Sequence, residues 1–160
     1  MNIIKKLYIK FKILTGDSNA LVVYLRDKGI IIGDNVRFRA PQTDVIDISR
    51  PALVEIGSNI DFNHNFTLLT HDFSSYVFRN LYNDFVPSSG RVKIDNNIVF
   101  GRNVTVMKGV TIGDNAIIAA NSVVTKNVPS NAIAAGNPAR IVKENIDQST
   151  TPIFPIKKNN

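Results

Sequence analysis

His71, in the run Leu68-Leu69-Thr70-His71-Asp72, is the side chain best suited to move a proton at neutral pH. An imidazole titrates near neutrality, so it can take a proton from a hydroxyl and return it to a leaving group. A lone histidine is also a common structural residue, and the adjacent Asp72 either orients the ring or faces solvent. The other histidine, His64, sits in Asn63-His64-Asn65 and reads as an exposed corner. Two histidines and no cysteine leave these 160 residues without thiolate nucleophiles, disulfides, thiolate metal sites or a three-histidine zinc site. The net charge of +6 favours anionic partners such as phosphates or an anionic membrane surface. Its excess lies in residues 1–40, where eight Lys and Arg meet three Asp. No nucleic-acid recognition motif or aromatic-rich basic module accompanies it.

A repeat must position these groups. Ile94, Phe100, Val106, Ile112, Ile118 and Val124 recur every sixth residue, and Val92, Ile98, Val104, Val110, Ala116 and Ser122 form a second row two residues earlier. Six is the period of neither a helix nor a free strand. Two inward side chains and a polar corner make one flat side of a coil, and stacking coil on coil buries what one unit cannot. The expected fold is an all-β solenoid. Gly33-Asp34-Asn35, Gly57-Ser58-Asn59 and Gly113-Asp114-Asn115 repeat one corner chemistry, in which Gly, Asn and Asp tolerate left-handed backbone.

Ile32, Phe38, Ile56, Phe62 and Leu68 continue the hexad, but the step from Leu68 to Ile94 is 26 residues, so an insertion within 72–90 leaves the coil. It reads as a projecting loop. Its aromatic residues Phe73, Tyr76, Phe78, Tyr82 and Phe85 either pack or stack on a sugar ring, and their size favours packing. Ile3, Ile4, Leu7, Tyr8, Phe11 and Leu14 share one side of an N-terminal helix, with lysines 5, 6, 10 and 12 around them. This helix is expected to cover the end of the solenoid or a neighbouring subunit, or to touch a membrane surface weakly. A second helix is predicted over 18–28, capped by Asp17 or Ser18 and ended by Gly29. The organisation is then residues 1–29 helical, 30–145 solenoid with the insertion, and 146–160 a polar tail. No signal-peptide pattern or membrane-length apolar run is visible, which predicts a cytoplasmic protein.

Ile112-Gly113-Asp114-Asn115, Ala119-Ala120-Asn121-Ser122-Val123-Val124-Thr125-Lys126 and Ala135-Gly136-Asn137-Pro138-Ala139-Arg140 resemble the hexapeptide-repeat acetyltransferases, which include galactoside, maltose, and capsular or exopolysaccharide O-acetyltransferases. The resemblance implies a left-handed parallel β-helix, and handedness comes from nothing else. It implies acetyl transfer from acetyl-CoA to a sugar hydroxyl of bacterial surface polysaccharide, with His71 as general base and neither a covalent acyl-enzyme nor a metal. Thr125, Lys126, Arg140 and Lys143 match positions around the CoA phosphates and adenine. Arg102 and Ala120 match those along the pantetheine arm, although the position of Arg102 is commonly small. Asp44, Asn65 and Asp72 fall on the acceptor side. The resemblance also implies a homotrimer with acetyl-CoA between subunits, so that His71 faces another chain. Rival readings are an N-acetyltransferase acting on a nucleotide amino sugar, a solenoid carbonic anhydrase short of its third histidine, and a scaffold without catalysis.

Overall fold

The computed structural model describes residues 3–84 and 88–146. Two helices open it, α1 (Ile3–Leu14) and α2 (Ser18–Asp27). Asp17 caps α2 through the backbone N–H of Ala20, and Gly29 follows with a φ of +97°. The chain then winds into a three-sided parallel β-helix. One face stacks β1 (Ile31–Ile32), β4 (Val54–Ile56), β7 (Val92–Ile94) and β10 (Thr111–Ile112). The second stacks β2 (Val36–Phe38), β5 (Ile60–Phe62), β8 (Ile98–Phe100), β11 (Ile117–Ile118), β13 (Ile133–Ala135) and an antiparallel β14 (Arg140–Lys143). The third stacks β3 (Val45–Ile46), β6 (Thr67–Leu68), β9 (Thr105–Val106) and β12 (Val123–Val124).

The hexad rows become vertical stacks inside the coil. Ile56 pairs with Ile94 and Ile94 with Ile112, while Phe62 pairs with Phe100 and Phe100 with Ile118. Phe38, Phe62 and Phe100 stack nearly parallel, with centroids 4.6 and 4.9 Å apart, and Phe66 tilts against the last two. Parallel neighbours thus bring like side chains into contact, and each ring gains an aromatic partner beyond the area it buries.

The corners depart from the sequence expectation. Among the described residues, all ten non-glycine positions with positive φ are asparagine, including Asn35, Asn59, Asn97 and Asn115. The glycines that open these corners do not carry the left-handed turn. A Cβ on Gly57 would lie 2.8 Å from the Asp95 carbonyl carbon, and one on Gly113 would lie 2.7 Å from the Ser130 backbone nitrogen. Glycine is there because consecutive coils approach too closely for a side chain. The asparagine amides form ladders between coils, Asn97 to Asn115 to Asn131 at 2.7 Å per rung and Asn65 to Asn103 to Asn121 at 2.8 and 2.9 Å.

The insertion is part helical: α3 (Ser74–Tyr82) rises from it, ended by Asn83 in left-handed conformation. Packing does not bury Phe73, Tyr76 and Tyr82, which are exposed, while Phe78 is half-buried and stacks on Tyr82. Phe85 and the 147–160 part of the tail lie outside the described residues.

Candidate active site

Ile46 and Leu68 pair in register on the third face, which brings the residues following β6 over those following β3. His71 therefore meets Asp47, 24 residues earlier, with Nδ1 2.7 Å from Oδ2. The same oxygen accepts from the Thr70 backbone N–H at 3.1 Å and from the Thr70 hydroxyl, while Oδ1 accepts from the Ser49 N–H at 2.9 Å and the Ser49 hydroxyl at 2.6 Å. Burial raises the carboxyl pKa, but the bonds from Ser49, Thr70 and His71 outweigh it and hold Asp47 well below the usual range. An ionised carboxylate only accepts, so Nδ1 carries the proton, and in the neutral ring Nε2 is then the nitrogen with the free lone pair. The Asp47 side chain is shut away at 8% exposure while that of His71 is 29% exposed, with the Phe73 ring set edge-on and the two centroids 5.8 Å apart. The arrangement can abstract a proton from a hydroxyl presented to Nε2.

Asp72 does not orient His71. It pairs with Lys108 at 2.6 Å and accepts from the Ser74 N–H, the Ser74 hydroxyl and the Ser88 hydroxyl. Lys108 first, then the serines, hold its carboxyl below the usual range. With the antiparallel bridge of His71 to Ser89 and the bond from the Gly90 N–H to the Thr70 carbonyl, this closes the neck of the insertion beside the histidine. The sequence reading missed Asp47, Thr70 and Lys108, which only the coil brings together.

Lys126 follows the same face as His71, two rungs along the Leu68, Val106, Val124 stack, or about 10 Å up the axis. Lys126 and Arg140 line one cavity of 140 Å³ with Ala134, Ala139 and Ile141. Thr125 is exposed beside Lys126, and Lys143 ends β14. Arg102 and Ala120 stand instead on the preceding corner, where the Asn121 N–H bonds the Arg102 carbonyl at 2.8 Å. Asn65 stands on that corner too, as a rung of the amide ladder. His64 is half-buried rather than exposed, its Nδ1 2.7 Å from Asn63 Oδ1. Asp44 is half-buried and lines an apolar cavity of 320 Å³ with Leu14, Leu21, Pro41 and Ile48. Its Oδ1 accepts from the Phe66 N–H at 2.9 Å, its buried Oδ2 has no partner among the described residues, and burial pushes its pKa up to about 6.

The family model for bacterial transferase hexapeptide, six repeats, matches residues 91–126. CapG of Staphylococcus aureus is 34% identical over 139 residues, 87% of this chain and 77% of that protein. YvoF of Bacillus subtilis (strain 168) is 34% identical over 96 residues, and the match spans 60% of this chain and about half of that protein, 51%. Among solved structures, a maltose O-acetyltransferase from Clostridium difficile 630 superposes with a TM-score of 0.55 at 26% identity, covering 89% of this chain and 87% of that one. A galactoside acetyltransferase in complex with coenzyme A shares the fold at TM-score 0.56 and 23% identity, covering 94% and 85%. The chain is a left-handed parallel β-helix. It belongs to the bacterial hexapeptide-repeat transferases.

Proposed function

We propose that the protein transfers acetyl from acetyl-CoA to a sugar hydroxyl, in the making of bacterial surface polysaccharide, with His71 as general base. The observation that carries this reading is the Asp47–His71 pair, fixed in the one tautomer that leaves Nε2 as a base at the solenoid corner. The acceptor hydroxyl gives its proton to Nε2 as its oxygen attacks the thioester carbonyl. The tetrahedral intermediate then expels the CoA thiolate, which takes the proton back from the imidazolium. Asp47 stabilises the transient imidazolium and is a positioning residue.

Lys126 and Arg140 share a cavity up the same corner, a span suited to phosphates of a donor lying along the axis. Arg102 and Ala120 occupy the other corner, so one chain cannot gather the whole expected donor set. A homotrimer whose clefts join the two corners of neighbouring subunits resolves this. The relatives named for maltose and galactoside acetylation support a sugar acceptor.

The test is thiol release from acetyl-CoA against a panel of sugars, nucleotide sugars and oligosaccharides. His71→Ala should lower acceptor-dependent kcat by about 10²-fold or more. Asp47→Asn should lower kcat by about 10²-fold with CoA binding intact. Acceptor-dependent release unchanged in His71→Ala would sink the mechanism.

A further inference from the structure

Helix α1 has two apolar sides. Ile9 is buried and Ile13 packs partly against the core, which fixes the inward side. At 100° per residue, Ile3, Ile4, Leu7, Tyr8, Phe11 and Leu14 form the opposite arc, and the solenoid end does not cover them: all six are 60–74% exposed. Lys5 and Lys12 project along one border of that arc, Lys6 and Lys10 along the other, and the helix contains no acidic residue. On the second border a groove of 280 Å³ gathers Lys6, Lys10 and Lys28 around Tyr24, with Ile3 and Leu7 at its lip and Asp27 as the one acid.

We infer that α1 is an in-plane anchor for an anionic lipid surface. An apolar arc bordered on both sides by long cationic side chains sinks to the acyl boundary while its ammonium groups stay at phosphate depth. Twelve residues span about 18 Å, too short to cross a bilayer and suited to lying on one. The groove offers three ammonium groups to a lipid phosphate beside an apolar lip for its chain. A second copy of α1 on this face would set lysine borders against lysine borders; anionic lipid supplies the missing charge.

The full-length protein is floated with vesicles of phosphatidylcholine alone and of phosphatidylcholine mixed with phosphatidylglycerol. It should bind the anionic vesicles at least tenfold better, a preference that falls with salt. Lys6→Glu with Lys10→Glu should erase the preference, and Leu7→Glu with Phe11→Glu should abolish binding; these side chains point outward, and circular dichroism checks the fold. No binding to anionic vesicles, or binding indifferent to both pairs, would overturn the anchor. So would loss of an oligomer in Leu7→Glu with Phe11→Glu without any vesicle binding by the parent, which would make the face a subunit contact. Vesicle binding is read without substrate and is independent of acetyl transfer.

Discussion

Two aspartates one strand apart respond to pH in opposite senses. Asp47 titrates below its ordinary value in the folded state, so its contribution to stability is complete above the unfolded pKa and fades as pH falls below about 4. Asp44 is raised from 3.8 to about 6. Between those values the folded protein holds a proton that the unfolded chain releases, so stability falls as pH rises through that window. Asp44→Asn keeps an oxygen for the Phe66 N–H and removes the charge. It should stabilise the protein at pH 7–8 by about 1–2 kcal/mol after allowing for solvent screening, and leave pH 4 nearly unchanged. Urea melts at both pH values check this; equal gains at both would show that the charge is not the cause. At this scale His71 was legible from its residue type and from the resemblance. Asp47 was not, because its link to His71 is a lattice position 24 residues away, and Asp72, the obvious neighbour in sequence, is committed to Lys108.

The elements were legible where repetition amplified a weak signal. Six hexads in phase located β7 to β12, and Asp17 and Gly29 marked the ends of α2. The insertion was located but its helix was not, since α3 has no acidic first turn and no side-chain cap to announce it. Its neck hangs on the Asp72–Lys108 pair. Lys108→Ala should raise the rate of limited proteolysis within 73–88 severalfold and weaken acceptor use, with the melting temperature nearly unchanged. A protease pattern identical to the parent would show that the bridge to Ser89 suffices alone. The corner glycines were legible as corners but for the wrong reason. Gly57→Ala should cost about 1–3 kcal/mol through backbone collision with the next coil, although its φ suits any residue. Unaltered stability would mean that the coils can part.

At the scale of the molecule, the coil is 18 residues in its regular part, as the pairings of Ile94 with Ile112 and Val106 with Val124 show. The proposed trimer, in which the site draws on two corners from neighbouring subunits, makes a specific prediction. His71→Ala and Arg102→Glu chains, each impaired alone, should regain activity when unfolded and refolded together, because in a random equal mixture about a quarter of all interfaces join an intact His71 to an intact Arg102. No recovery in verified mixed trimers would put both residues to work within one chain. The hexad by itself gives faces without saying which of them meets another copy; the expectation that His71 faces a second chain came from the resemblance alone.

The two ends of the coil have a further consequence. A parallel β-helix closed by nothing would present raw strand edges at both ends, each a template for the next copy's first or last rung. Here β14 turns back antiparallel on β13, and α2 lies against β1 and β2 at the other end. These two caps shield the second face at one end and the first two faces at the other, and their loss would lay those strand edges open to the next copy, the first step towards a fibre.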